Sequence, residues 1–213
     1  VNAIFGMAKF FFFFCLKDKP DYLIFVRDAK WDNFRHEIYA DYKATRDRMP
    51  DNLKLQLSSI DEMIGKMWVE IIEIPGFEAD DVIATLAVDL WKNPENDVYI
   101  LSWDKDLFAL VTENVKIFDT MKKKIFWIED TIEKFWVEPK YISDYLAIVW
   151  DTSDNIPGIP WFWPKKAIEL IGSYWSVEWI YENLDKITGK TKETLTQKRD
   201  LAELSKKLAT IDR

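Results

Sequence analysis

Glycine is scarce in this chain. Six of the 213 residues are glycine, about 3%, where globular proteins use about 7%. One cysteine, Cys15, excludes an internal disulfide and suits a reducing, cytoplasmic compartment. No apolar run is long enough to cross a bilayer; the longest, FFFFFCL at residues 10–16, is expected to be a buried helix. No secretory leader is visible, and Val1 is not a start residue, so the chain is expected to be a fragment whose true beginning lies upstream. Against these shortages stands an excess: tryptophan occurs 11 times. Hydrophobic content of 48% and charged content of 31% fit a soluble globular protein with one sizeable core and a smaller helical annex. The net charge of −8 argues weakly against a nucleic-acid partner, unless the negative charge is concentrated in one place.

Apolar periodicity predicts strands over residues 22–27, 69–74 and 97–101, each followed by a helical pattern. The helices expected are 51–67, with Leu53, Leu57, Ile60 and Ile64 on one face, 78–91, and a short one at 104–111. Residues 34–47 are basic and aromatic, with helical propensity but little core face. A small ribbon is expected from 115–118 and 124–127, and mostly helix beyond residue 129. Alternating strand and helix imply an α/β fold with a mostly parallel sheet. The implied organisation is an α/β domain over residues 1–128 and a helical subdomain over 129–213.

In open parallel sheets, sites form at the carboxyl ends of the strands, and acids collect there. Asp28 ends the first strand. Glu78, Asp80 and Asp81 lie in FEADD past the second. Asp104 and Asp106 lie in SWDKD past the third, and Asp151 and Asp154 in WDTSDN, in a later loop. Taken singly, each is an ordinary cap or solvated surface group. Together, eight carboxylates in one cleft would repel each other unless divalent cations sat among them. Oxygen ligands without nearby histidine or cysteine favour Mg²⁺ or Mn²⁺. Two such ions could activate water against a phosphodiester. The eight acids also equal the net charge in number, leaving the remaining surface balanced.

Four stretches, FRHEIYADYKATR, GFEADDVIATLA, SWDKDLFALV and DYLAIVWDTSDNIPGIPWFWPKKAIELI, resemble the 5′-nuclease domain of bacterial DNA polymerase I, of the flap endonuclease superfamily. The resemblance covers nearly the whole chain. It implies a PIN-like fold with a C-terminal helix-hairpin-helix variant near 151–171, and a 5′-3′ exonuclease or 5′-flap endonuclease acting on DNA in primer removal and repair. It assigns all eight acids to metal ligation and catalysis, and implies two ions, Mg²⁺ or Mn²⁺, with K⁺ at the hairpin. It implies a DNA-facing arch near residues 33–47, with Lys43 and Arg46 facing phosphates, Arg35 assisting DNA binding and Tyr42 stacking on a base. Lys165 matches the hairpin lysine at a helix N-terminus, and Lys166 stands where the family has threonine. His36 reads as an ordinary arch or surface residue. The family's opening strand, with one further ligand, is expected to precede this chain, and a polymerase module could follow it. Two rival readings are a PIN-type ribonuclease and a non-catalytic DNA-binding fragment.

The resemblance also bears on the tryptophans. Trp31, Trp68, Trp103, Trp136, Trp150, Trp161, Trp163, Trp175 and Trp179 occupy positions where the family has glycine. Adding nine glycines would bring the content to about 7%, the ordinary value. A Cβ disfavours positive φ, and an indole would fill space where backbone meets phosphate. Such a pattern is expected where UGA codons that specify glycine are read as tryptophan. The alternative is a decayed, tryptophan-rich paralogue.

Overall fold

The computed structural model describes residues 2–30 and 33–213; Val1, Trp31 and Asp32 lie outside it. In chain order the helices are α1 (Asn2–Lys17), α2 (Phe34–Ile38), α3 (Asp51–Lys66), α4 (Ala79–Trp91), α5 (Ile128–Phe135), α6 (Ile142–Ile148), α7 (Pro164–Tyr174), α8 (Val177–Glu182), α9 (Gly189–Gln197) and α10 (Arg199–Ala209). The strands are β1 (Ile24–Val26), β2 (Glu70–Ile72), β3 (Val98–Leu101), β4 (Val115–Asp119) and β5 (Lys124–Phe126). They form two sheets: a parallel pair β1–β2, and a sheet in which β3 and β4 are parallel and β5 returns antiparallel. The expected α/β character and the ribbon at 115–127 are both present.

The chain divides into two compact units, one of residues 1–31 with 47–79, the other of 32–46 with 80–213. This division differs from the sequence-based boundary at 128, which falls inside the second unit. The first unit packs α1 against α3 and the β1–β2 pair. Phe11, Ile60, Ile64 and Val69 form its buried centre. Residues 10–16 are helical but not buried all round. Phe11 and Phe14 face inward, while Phe12 and Phe13 are exposed. The reason is geometric: five consecutive phenylalanines sweep more than a full turn at about 100° each, and only one stripe can face the core. Helix α3 starts directly after Pro50. Its Ile60 and Ile64 share a face one turn apart, as the spacing predicts, whereas Leu53 and Leu57 are only half-buried. The pairing of Ile24 with Glu70 through Val26 with Ile72 fixes the register of β1 and β2.

The second unit holds the larger core, built from Leu107, Phe108, Ile117, Ile142, Ile148 and Leu195 among others, all nearly or fully inaccessible. The 104–111 segment is a 3-10 turn, Asp106–Leu110. Leu107 to Leu110 are buried, and Asp106 is left at its leading edge.

Helix ends reveal where the backbone needs glycine. Helix α3 is followed by Trp68 at φ 60°, α5 by Trp136 at φ 61°, and α7 by Trp175 at φ 67°. Trp136 N–H donates to Ile132 O and Trp175 N–H to Ile171 O, closing the last turns. These are the left-handed helix-end positions that glycine ordinarily fills. Trp161, in the turn before α7, is left-handed as well, at φ 70°. All four indoles project into solvent, Trp68 at 96% exposure. Trp103, Trp150, Trp163 and Trp179 are also exposed, but none has positive φ. Trp31 lies outside the described residues.

Candidate metal centre and the basic segment beside it

Of the eight predicted acids, Asp28 and Glu78 lie in the first unit and the other six in the second. Asp28 is exposed and caps the start of α4, its Oδ1 accepting Ala79 N–H at 2.8 Å. Within the second unit, Asp106, Asp151 and Asp154 converge. One carboxylate oxygen from each lies within 4.8 Å of the others. Asp104 adjoins them in chain, its Oδ1 accepting Asp106 N–H at 3.2 Å.

Local structure explains the convergence. Asp104 and Asp106 follow β3, where the chain tightens into the 3-10 turn. Asp151 and Asp154 sit on a compact loop after α6. Asp151 and Ile156 exchange backbone bonds of 2.9 and 3.0 Å, and Ser153 N–H donates to Asp151 Oδ1 at 2.9 Å. Asn155 takes a left-handed φ of 55°, and Gly158 one of 59°. A Cβ on Gly158 would stand 2.6 Å from the Val149 carbonyl carbon, so only glycine fits there. The turn that brings Asp151 and Asp154 back beside Asp106 therefore depends on this glycine.

Three carboxylates this close repel one another. Asp106 shows the result. Burial first, then the charges of Asp104, Asp154 and Asp151, hold its carboxyl well above the usual range, with Lys105 opposing. Cations neutralise the other two acids. Lys105 Nζ lies 2.5 Å from Asp151 Oδ1. Arg46 donates to Asp154 and, through Nε, to Ser153 O at 3.2 Å; Lys43 Nζ stands 3.8 Å from Asp154. Lys43 N–H also donates to Asp154 O at 2.9 Å, and Asn155 Nδ2 to Asp41 O at 2.7 Å. Residues 41–46 are thus laid along the acidic loop. Lys105 was not among the expected site residues, although its place between two acids in SWDKD was a legible signal.

The residues expected to face DNA differ in their surroundings. Tyr42 is buried, and its hydroxyl donates to Asp154 Oδ2 at 3.2 Å. Its ring packs edge-on against His36. Arg35 is 3% exposed and bidentate to Asp81, with 2.7 Å on each arm. Its charge is neutralised by Asp81 inside the fold. Asp81, expected as a metal ligand, is 2% exposed and outside the converging trio. Asp80 sits beside it, half-buried on the first turn of α4. At the hairpin, Lys165 is exposed at the start of α7, while Lys166 pairs with Glu169.

The donor set fits a hard divalent cation: carboxylate oxygens only, clustered, with no sulfur or imidazole ligand among them. Asp106, Asp151 and Asp154 would hold it.

Comparison with known proteins gives the same direction. Residues 1–137 match the family described as 5'-3' exonuclease, N-terminal resolvase-like domain, and residues 137–213 match 5'-3' exonuclease, C-terminal SAM fold. A 5'-3' exonuclease of Aquifex aeolicus is 44% identical over 207 residues, spanning 97% of this chain and 70% of that protein. DNA polymerase I of Caldicellulosiruptor bescii is 39% identical over 216 residues, which is 99% of this chain and 25% of the polymerase. The T5 D15 protein co-crystallized with metal ions shares the fold at a TM-score of 0.80 and 22% identity, over 97% of this chain and 80% of that one.

Proposed function

Since the chain belongs to the 5'-3' exonuclease family, we propose that it hydrolyses DNA phosphodiesters at 5′ ends and 5′ flaps, at a centre formed by Asp106, Asp151 and Asp154. The observation that carries this reading is the convergence of those three carboxylates within 4.8 Å, bordered by Lys43, Arg46 and Lys105. Mg²⁺ or Mn²⁺, when bound, would supply Lewis-acid activation of water and neutralise charge developing on the phosphate. The three carboxylates would hold the cation, and its charge would relieve their mutual repulsion. Water adds to phosphorus, the P–O bond to the 3′ oxygen breaks, and the products are a 5′-phosphate and a 3′-hydroxyl. Lys43 and Arg46, which pair with Asp154, would border the bound cation and meet the phosphate of a 5′ strand. Lys165, exposed at the start of α7, adds a second basic point for duplex DNA. The DNA polymerase I relatives support a further partner, a polymerase module on the same polypeptide.

The test is cleavage of a 5′-flap DNA with Mg²⁺, with single-stranded RNA as competitor. Asp106→Asn should abolish cleavage and spare DNA binding. Undiminished cleavage by that variant, or turnover that survives chelation, would remove this centre from the reaction. Preference for the RNA would favour the ribonuclease reading.

A further inference from the structure

The Arg35–Asp81 pair does something the proposed reaction does not explain. Both side chains are almost fully removed from water, and the pair joins three separated parts of the second unit. Arg35 Nη1 and Nη2 each donate to one Asp81 oxygen at 2.7 Å. Arg35 Nε donates to Leu208 O at 3.1 Å and Nη2 to Thr210 O at 2.9 Å. Asp212 N–H donates to Asp81 Oδ1 at 2.9 Å. The Phe34 ring lies 4.5 Å from the guanidinium carbon. Four guanidinium donations and three carboxylate acceptances are therefore made within this one arrangement.

Geometry connects it to the site. Arg35 is on α2, which is capped by Asn33 accepting Arg35 N–H, and α2 runs directly into the Tyr42–Arg46 segment that contacts Asp154. Asp81 is on the first turn of α4, next to Asp80. Leu208 and Thr210 mark the end of α10, which packs on α6, the helix leading into the Asp151–Asp154 loop. We infer that Arg35 and Asp81 form a buried clasp that positions the basic 41–46 segment and the α6 loop on either side of the metal centre, and that Asp81 is a positioning residue and not a metal ligand. A cation on Asp81 would have to displace the guanidinium, leaving a buried positive charge without its counter-ion and next to the new cation. A bidentate arginine–carboxylate pair also fixes orientation as well as distance, which suits it to aligning elements.

This inference rests on the metal-centre reading, and the experiment separates the two. Arg35→Gln, Asp81→Asn, the double variant, Arg35→Lys and Asp154→Asn are compared by thermal unfolding and by Mn²⁺ binding measured calorimetrically in the whole chain. The clasp predicts that each single change lowers the unfolding temperature and that the double variant falls no further than the worse single one, because both remove the same interaction. It predicts that Arg35→Lys is no rescue, since lysine lacks the fork. Mn²⁺ affinity should fall by the same factor in Arg35→Gln and Asp81→Asn, on the order of tenfold, because both release the loop that holds the ligands, while Asp154→Asn, which removes a ligand, loses more. An Asp81→Asn loss of about tenfold in Mn²⁺ affinity with Arg35→Gln unaffected, or additive thermal losses, overturns the clasp. Full Mn²⁺ affinity in Asp154→Asn sinks the metal-centre reading instead. If the clasp variants do not fold, crystals of the unmutated chain soaked in Mn²⁺ decide it: the clasp requires the Asp81–Arg35 pair intact, and an ion coordinated directly by Asp81 refutes it.

Discussion

Replacing the left-handed tryptophans by glycine should stabilise the protein, and the size of the gain follows from geometry. A left-handed backbone costs an ordinary L-residue about 1–2 kcal/mol. Glycine removes that strain but gives the unfolded chain more freedom, at a cost of about 0.4–1 kcal/mol. The indole itself contributes little where it stands in solvent, as at Trp68, Trp136 and Trp161, which are 96%, 73% and 83% exposed. The expected net gain is therefore about 0.5–1 kcal/mol at each of these three positions. For Trp136→Gly with Trp161→Gly that is about 1–2 kcal/mol, a rise in unfolding temperature of roughly 2–8 °C for a chain of this size. Trp175 differs, because its ring packs on Trp179 at 5.6 Å. Loss of that pair offsets the relief, so Trp175→Gly should be nearly neutral. The internal control is Trp103, Trp150 and Trp163, which are comparably exposed but not left-handed. Glycine there brings no strain relief and should lower stability by about 0.4–1 kcal/mol. Differential scanning calorimetry of the two groups gives the answer in the sign. If both groups shift the same way, backbone strain is not what distinguishes them. Peptide masses from the protein isolated from its source bear on the codon reading directly: glycine is expected at these positions, and tryptophan there refutes it.

Two further outcomes can be checked without DNA. Asp106 holds its proton more tightly in the folded chain than in the unfolded one. Stability contributed at low pH is therefore lost as pH rises from the ordinary carboxylate range, about 3.9, through the raised folded value. Asp106→Asn should accordingly be more stable than the parent in chelator at pH 8, with the difference closing towards pH 4, and should gain less from added Mg²⁺. Lower stability of the variant in chelator at pH 8 would contradict the burial and repulsion argument. Gly158→Ala should cost about 2 kcal/mol or more, because the new methyl meets the Val149 carbonyl at 2.6 Å in a left-handed backbone. Urea unfolding of the variant measures this, and a loss under about 0.5 kcal/mol would show that the hairpin relaxes freely.

Much of this protein was legible in the order of its residues. Alternation of apolar strand runs with helical periodicity gave the α/β class, and the spacing of Ile60 and Ile64 gave the inner face of α3. Acids after strands and in the later loop put Asp106, Asp151 and Asp154 among eight candidates, because such clusters are local features that a pattern can show; which of the eight converge was not legible there. The surplus of tryptophan and shortage of glycine pointed to positive φ, which the backbone adopts at Trp68, Trp136, Trp161 and Trp175 but not at Trp103, Trp150, Trp163 or Trp179. Tertiary structure alone decided how the charges are shared. Arg35 and Asp81 are 46 positions apart, and nothing in FRHE or EADD distinguishes a buried pair from a phosphate contact and a metal ligand. The same holds for Tyr42, whose hydroxyl meets an acid 112 positions away. A side chain's type limits what it can bind. Only the packing that removes it from water, and brings one particular partner within reach, determines which of those options it takes.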